Sequence, residues 1–85
     1  MPATIEDIGR ALGPESPFNE DEKFIIKWQY GLLSDFESAL IDVIKIADSE
    51  NLNRLYRGFP KNVLAFRDWR DGDLGNRIRA WGLDI

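Results

Sequence analysis

From Phe24 to Ala47 the chain reads FIIKWQYGLLSDFESALIDVIKIA, and fifteen of these 24 positions are apolar. One row at helical spacing takes Ile25, Trp28, Leu32, Phe36, Leu40, Val43 and Ala47. A second, flanking row takes Ile26, Tyr30, Leu33, Ile41 and Ile44. The polar remainder gathers mostly on a strip through Lys27, Gly31, Ser34, Ser38, Asp42 and Lys45, again in steps of three and four. So narrow a strip predicts a helix covered over more than half of its circumference. Continuous from Glu20 to Ala47, it would run about 40 Å and form the axis of the molecule. Gly31 lies on its polar strip and costs roughly 1 kcal/mol against alanine; it marks either a close backbone approach or a mild bend, and the bend ranks first. Phe36 falls in the middle of the apolar row. If it is buried, Phe36→Ala is expected to cost about 3–5 kcal/mol.

The rest of the chain reads as short helices. Thr4 and Asp7 resemble a capping box, with aspartate for the usual glutamate, opening a helix from Ile5 to Leu12 with an apolar face of Ile5, Ile8 and Leu12. Gly13 and Pro14 end it, the glycine by a left-handed turn. Asn19 with Glu22 caps the long helix, and the acidic run Glu20–Glu22 complements its dipole. Residues 48–51 break and recap the chain, and Leu52, Leu55, Tyr56 and Phe59 mark a helix ending at Gly58. Pro60 suits the first position of the next, with Val63, Phe66 and Trp69 facing inward. Asp73 is a natural N-cap for a last helix carrying Leu74, Ile78 and Trp81, closed by Gly82 before the tail Leu83–Ile85. No strand-period alternation or internal repeat appears. The expected fold is all-α, in one 1–85 domain: an N-terminal helix and connector (1–19), the long central helix (20–47), and short C-terminal helices (48–85) packed over it.

Composition narrows the chemistry. There is no cysteine and no histidine, which removes disulfides, thiolate metal sites, the commonest zinc ligand and the commonest general base. No apolar run approaches a membrane span, and no export signal is apparent, so a cytoplasmic protein is expected. The net charge of −4 divides into −7 over residues 1–50 and +3 over 51–85. Two readings fit that asymmetry: the basic end folds back on the acidic one, or it presents a partner surface. The first ranks ahead, because so small a domain brings its ends together.

Among catalytic candidates only carboxylates remain. Asp35 and Asp42 lie two turns apart and Glu37 on another flank, a spacing that fits solvated helix-face acids better than a general-acid pair. No catalytic, cofactor or metal residues are assigned. Asp71-Gly-Asp-Leu-Gly75 reads as a helix junction, because no strand precedes it and its aspartates would repel an anion. The C-terminal third interleaves Arg54, Arg57, Lys61, Arg67, Arg70, Arg77 and Arg79 with Tyr56, Phe59, Trp69 and Trp81. Arginine and aromatics dominate protein interfaces and also suit phosphate contacts and base stacking. Asp68, Asp71, Asp73 and Asp84 dilute that segment, so core rim ranks first, protein surface second and nucleic acid third.

The run Ala47–Pro60, then Val63, Trp69, Gly72-Asp-Leu74 and the ending Arg79–Ile85, together with Lys27–Leu33, resembles a group of small phage and prophage proteins. The likeness covers about residues 24–85 and rests on caps and core positions, so it brings no catalytic residues with it. It implies a setting in which small acidic phage proteins without enzymatic motifs often bind a host or defence protein, anti-CRISPR proteins included. The expectation is therefore a non-enzymatic interaction protein that occupies and inhibits such a partner. Its contact residues would come from an acidic face (Asp35, Glu37, Asp42, Asp48) that imitates nucleic acid, or from the basic end (Arg67, Arg70, Arg77, Trp81). The alternative is a small nucleic-acid or nucleotide binder using the latter. The two apolar rows exceed what short helices can cover, which predicts a homodimer through the long helix.

Overall fold

The computed structural model describes residues 3–84, which form six helices and no strand. They are α1 (Ile5–Leu12), α2 (Glu20–Gln29), α3 (Asp35–Ile46), α4 (Ser49–Gly58), α5 (Pro60–Asp71) and α6 (Leu74–Ala80). Ile85, the last residue of the expected tail, lies outside the described residues.

The expected single helix over 20–47 is two helices. Gly31 sits at φ +69°, in the left-handed region, rather than in a gentle bend. Around it the N–H of Gly31 donates to the Trp28 carbonyl at 3.2 Å and that of Leu32 to Lys27 at 2.8 Å. These are the two reversed bonds of a Schellman ending, which satisfies carbonyls that the helix leaves open. Ser34 then starts α3, its hydroxyl accepting from the Glu37 N–H at 3.2 Å. A stop and a start thus lie within five residues, across which the apolar spacing runs on without interruption.

The other capping assignments hold in most respects. Thr4/Asp7 and Asn19/Glu22 form reciprocal boxes, Asp48 caps α4 through the Asn51 N–H at 2.8 Å, and Pro60 opens α5. Asp73 precedes α6, but its side chain caps nothing there; it accepts from Asn76 instead. Gly13 ends α1 in extended backbone, φ −81°, not by a left-handed turn. A Cβ there would stand 3.2 Å from the Gly9 carbonyl oxygen, so closeness favours glycine at this position.

The helix at the centre of the packing is α5, which meets α2, α3, α4 and α6. Its inner face is Val63, Ala65 and Phe66. Trp28 from α2 meets it edge-on, 6.0 Å from Phe66 and 6.1 Å from Trp69 between ring centroids. Ile25 and Ile26 of α2, Ile41 and Ile44 of α3, and Leu74 and Ile78 of α6 complete the core and are shut off from solvent. Each such side chain contributes about 1.5–3 kcal/mol by leaving water. The tail is part of this core, because Leu83 is buried. On α1, Ile8 and Leu12 of the expected face pack half-buried against the core and Ala11 is fully buried, but Ile5 is exposed.

Lys23 is a buried cation whose role was not legible in its position. Its ammonium donates to the Gly13 carbonyl at 3.0 Å and lies 3.6 Å from Glu20. It therefore places a positive charge at the carbonyl end of α1, where the helix dipole favours one. The basic end does fold back on the acidic one at Arg77, which pairs with Glu22 across the chain and with Asp68 at 3.4 Å.

Candidate interaction face

Helix α3 is buried on one side only. Leu40, Ile41 and Ile44 point to the core, while Phe36 is 64% exposed, Val43 47% and Ile46 83%, with Leu32 before the helix at 54%. Phe36 is therefore not the core residue that its row implies. It retains one ring contact, with Phe59 at 5.9 Å. At 100° per residue, Phe36, Ala39, Val43 and Ile46 fall on one stripe in steps of three, four and three. Leu40, Ile41 and Ile44 fall on the adjoining side, which is buried, and α3 packs against α5. The two sequence rows do not divide this way: Leu40, from the row of Phe36 and Val43, is buried with Ile41 and Ile44, while Ala39 and Ile46, in neither row, lie on the exposed stripe.

Between α3 and α4 the stripe borders a groove of about 310 Å³ lined by Val43, Ile46, Ala47, Asn51, Arg54 and Leu55. The two edges of this face differ in charge. Asp35 and Asp42, one residue before Phe36 and before Val43, line the α3 edge and are exposed. Lys45 approaches Asp42 only to 4.0 Å. On the α4 edge Arg54 pairs with Glu50 at 2.8 Å, and Arg57 lies one turn further on, exposed. Asp35 also stands in the first turn of α3, where the helix dipole favours a negative charge.

The sequence-based candidates separate on this frame. Asp35 and Asp42 lie together. Glu37 is half-buried and occupied by the Ser34 hydroxyl, at 3.1 Å, and Asp48 is spent as the α4 cap. In the basic third, Arg70 forks onto Asp71 at 2.8–3.1 Å and lies over the Phe66 ring at 5.5 Å. The hydrogen bond from Arg70 holds the Asp71 carboxyl below its ordinary pKa. The Arg77 guanidinium is held above its own by its hydrogen bond to Glu22. Arg67 is exposed on α5. Trp81 lies apart from these, edge-on to Phe18 at 5.9 Å. It lines an open cleft of about 760 Å³ with Gly9, Gly13 and Pro14, rimmed by Glu6, Arg10 and Glu15. A cleft so open does not enclose a small ligand as cofactor sites do.

Among the described residues, no three His, Cys, Asp or Glu side chains are grouped to hold a metal ion, and no helix is long and apolar enough to cross a membrane. No model of a known protein family, no curated protein and no solved structure matches the chain.

Proposed function

We propose that this chain is a non-enzymatic protein–protein interaction module of phage type. On this reading it works in the host cytoplasm by occupying a surface of a host or antiviral-defence protein. The observation that carries the reading is the outer face of α3, where Phe36, Val43 and Ile46 are exposed on one stripe, with Leu32 exposed just before the helix. Contiguous apolar surface of this kind, rimmed by charge, is what protein contacts cover. Asp35 and Asp42 on its edge steer a partner that is basic around an apolar recess, raising the association rate more than the final affinity. Two of the four basic-end candidates, Arg70 and Arg77, already have carboxylate partners within the fold, which favours α3 over the C-terminal third.

The test is capture from host lysate by three immobilised chains: wild type, Asp35→Lys with Asp42→Lys, and Arg67→Glu with Arg70→Glu. Circular dichroism first establishes that all three are equally helical. Recovery of the same host protein by the wild type and the arginine variant, with loss in the aspartate variant, is the expected result. Loss in the arginine variant alone moves the site to the C-terminal third. A captured nucleic acid whose binding falls steeply with added salt favours the nucleic-acid reading instead.

A further inference from the structure

The outer face of α3 carries both halves of a self-complementary contact. A two-fold interface requires each patch to hold a projection and the recess that receives it, because residue i meets j and j meets i. Ile46 is the projection, more than four-fifths exposed, and the groove between α3 and α4 is the recess beside it. The stripe Phe36, Ala39, Val43, Ile46 has the three-and-four spacing of a helix–helix seam.

Charge selects the direction. In an antiparallel pairing the Asp35/Asp42 edge of one α3 lies along the same edge of the other, and four carboxylates oppose one another. In a parallel pairing that edge lies along α4 of the other copy, where Arg54 lines the groove and Arg57 follows one turn later. Opposite charges then meet on both sides of the seam. The Arg54–Glu50 pair is exposed on both partners, so little is lost when Arg54 turns to a new carboxylate.

Resting on the reading of this face as an interaction surface, we propose that its occupant in the isolated protein is a second copy of the chain. The two α3 helices lie parallel about a two-fold axis. A host partner that uses the same face competes with this dimer.

Sedimentation over a concentration series of the full chain reads the mass directly. The proposal requires a rise from 9.8 kDa toward twice that value. Ile46→Lys, at a solvent-exposed position, should weaken self-association roughly tenfold or more while leaving helicity unchanged. Asp42→Arg should weaken it too, and Asp42→Arg combined with Arg54→Asp should restore it. Direction is read by cross-linking, which is unambiguous because the chain has no cysteine of its own. Ala39→Cys alone should form a disulfide dimer in the parallel arrangement. An antiparallel seam would instead link Ala39→Cys to Val43→Cys in a mixture and leave Ala39→Cys alone unlinked. Either that pattern or a mass fixed at 9.8 kDa up to millimolar protein overturns the proposal. If the mass is fixed while Ile46→Lys still loses a captured host protein, the second copy falls and the interaction reading stands. A dimer formed by a chain whose host capture ignores Ile46→Lys separates the two the other way.

Discussion

Helices α2 and α3 come from one uninterrupted apolar pattern, yet they are treated differently by the fold. Helix α2 lies between α1 and α5, so Phe24, Ile25 and Ile26 are all buried although they are consecutive and point to different sides. Helix α3 has α5 on one side and leaves Phe36, Val43 and Ile46 uncovered. Equal hydrophobicity in sequence therefore becomes core in one helix and surface in the other. The difference lies in how many neighbours each helix has, which is a tertiary property. A stripe left over by folding is open to a partner, and this is why the proposed interaction surface is on α3 rather than α2.

The largest expected difference between the two helices comes from truncating matched isoleucines. Ile25→Ala should cost about 2–5 kcal/mol through lost burial and a residual cavity, with the isoleucine completely enclosed. Ile46→Ala should stay within about 0.5 kcal/mol. Urea denaturation of both variants at low protein concentration, where the monomer dominates, gives the two numbers. A large loss at Ile46 there would mean that the α3 face is packed within the protomer. By the same logic Phe36→Ala should cost on the order of 1 kcal/mol, for one partly exposed ring contact, instead of the 3–5 kcal/mol of a core phenylalanine.

A smaller effect tests the junction that separates the helices. Gly31→Ala should cost about 1–2 kcal/mol, because any Cβ is strained in the left-handed region. The cost comes from backbone alone, since no atom lies within 4 Å of where the Cβ would stand. Gly31→Asn should cost less, as asparagine tolerates that conformation. A stabilised Gly31→Ala would restore the single-helix reading of residues 20–47.

The smallest and most general effect is that of acid. The Thr4 backbone hydrogen bond holds the Asp7 carboxyl below its ordinary value of 3.8, Arg70 does so for Asp71, and the Tyr30 hydroxyl for Asp84. A depressed folded pKa means that the folded chain binds fewer protons, so stability is fully present above the unfolded pKa. It is lost as pH falls through the folded values. Melting temperature should be flat near neutrality, where no histidine titrates, and should drop below about pH 4. All three carboxylates lie outside the α3 face, so any pH dependence of partner binding near neutrality would point to titratable groups in the partner.

Much of this architecture is legible in the residues. Local chemistry marks the helix starts: Thr4, Asn19, Asp48 and Pro60 each satisfy or remove an open N–H, and each is visible without knowing the fold. The same chemistry at Ser34 and Glu37, preceded by Gly31, spelled out the break between α2 and α3. It was masked because Leu32 and Leu33 carry the apolar rows straight across the turn. What local chemistry cannot supply is the choice of covered side. Ile41 and Ile44 are no more hydrophobic than Val43 and Ile46, and only the placement of α5 distinguishes them. The acidic candidates divide for a similar reason, since Asp48 and Glu37 are consumed at helix starts while Asp35 and Asp42 are left on an edge. Identifying α5 as the hub required its contacts with four other helices, and its own sequence, with Arg67-Asp68 and Arg70-Asp71 following Phe66, looks less like a core than α3 does.

The exposed side of α3 is the proposed site at which this protein meets another. Its most direct test is the recovery of a host protein by immobilised wild type and by Ile46→Lys, with both melting temperatures measured alongside. Equal melting temperatures at low protein concentration, with recovery reduced to background in the variant, are the expected result. Equal recovery by two equally folded chains would place the contact elsewhere on the protein.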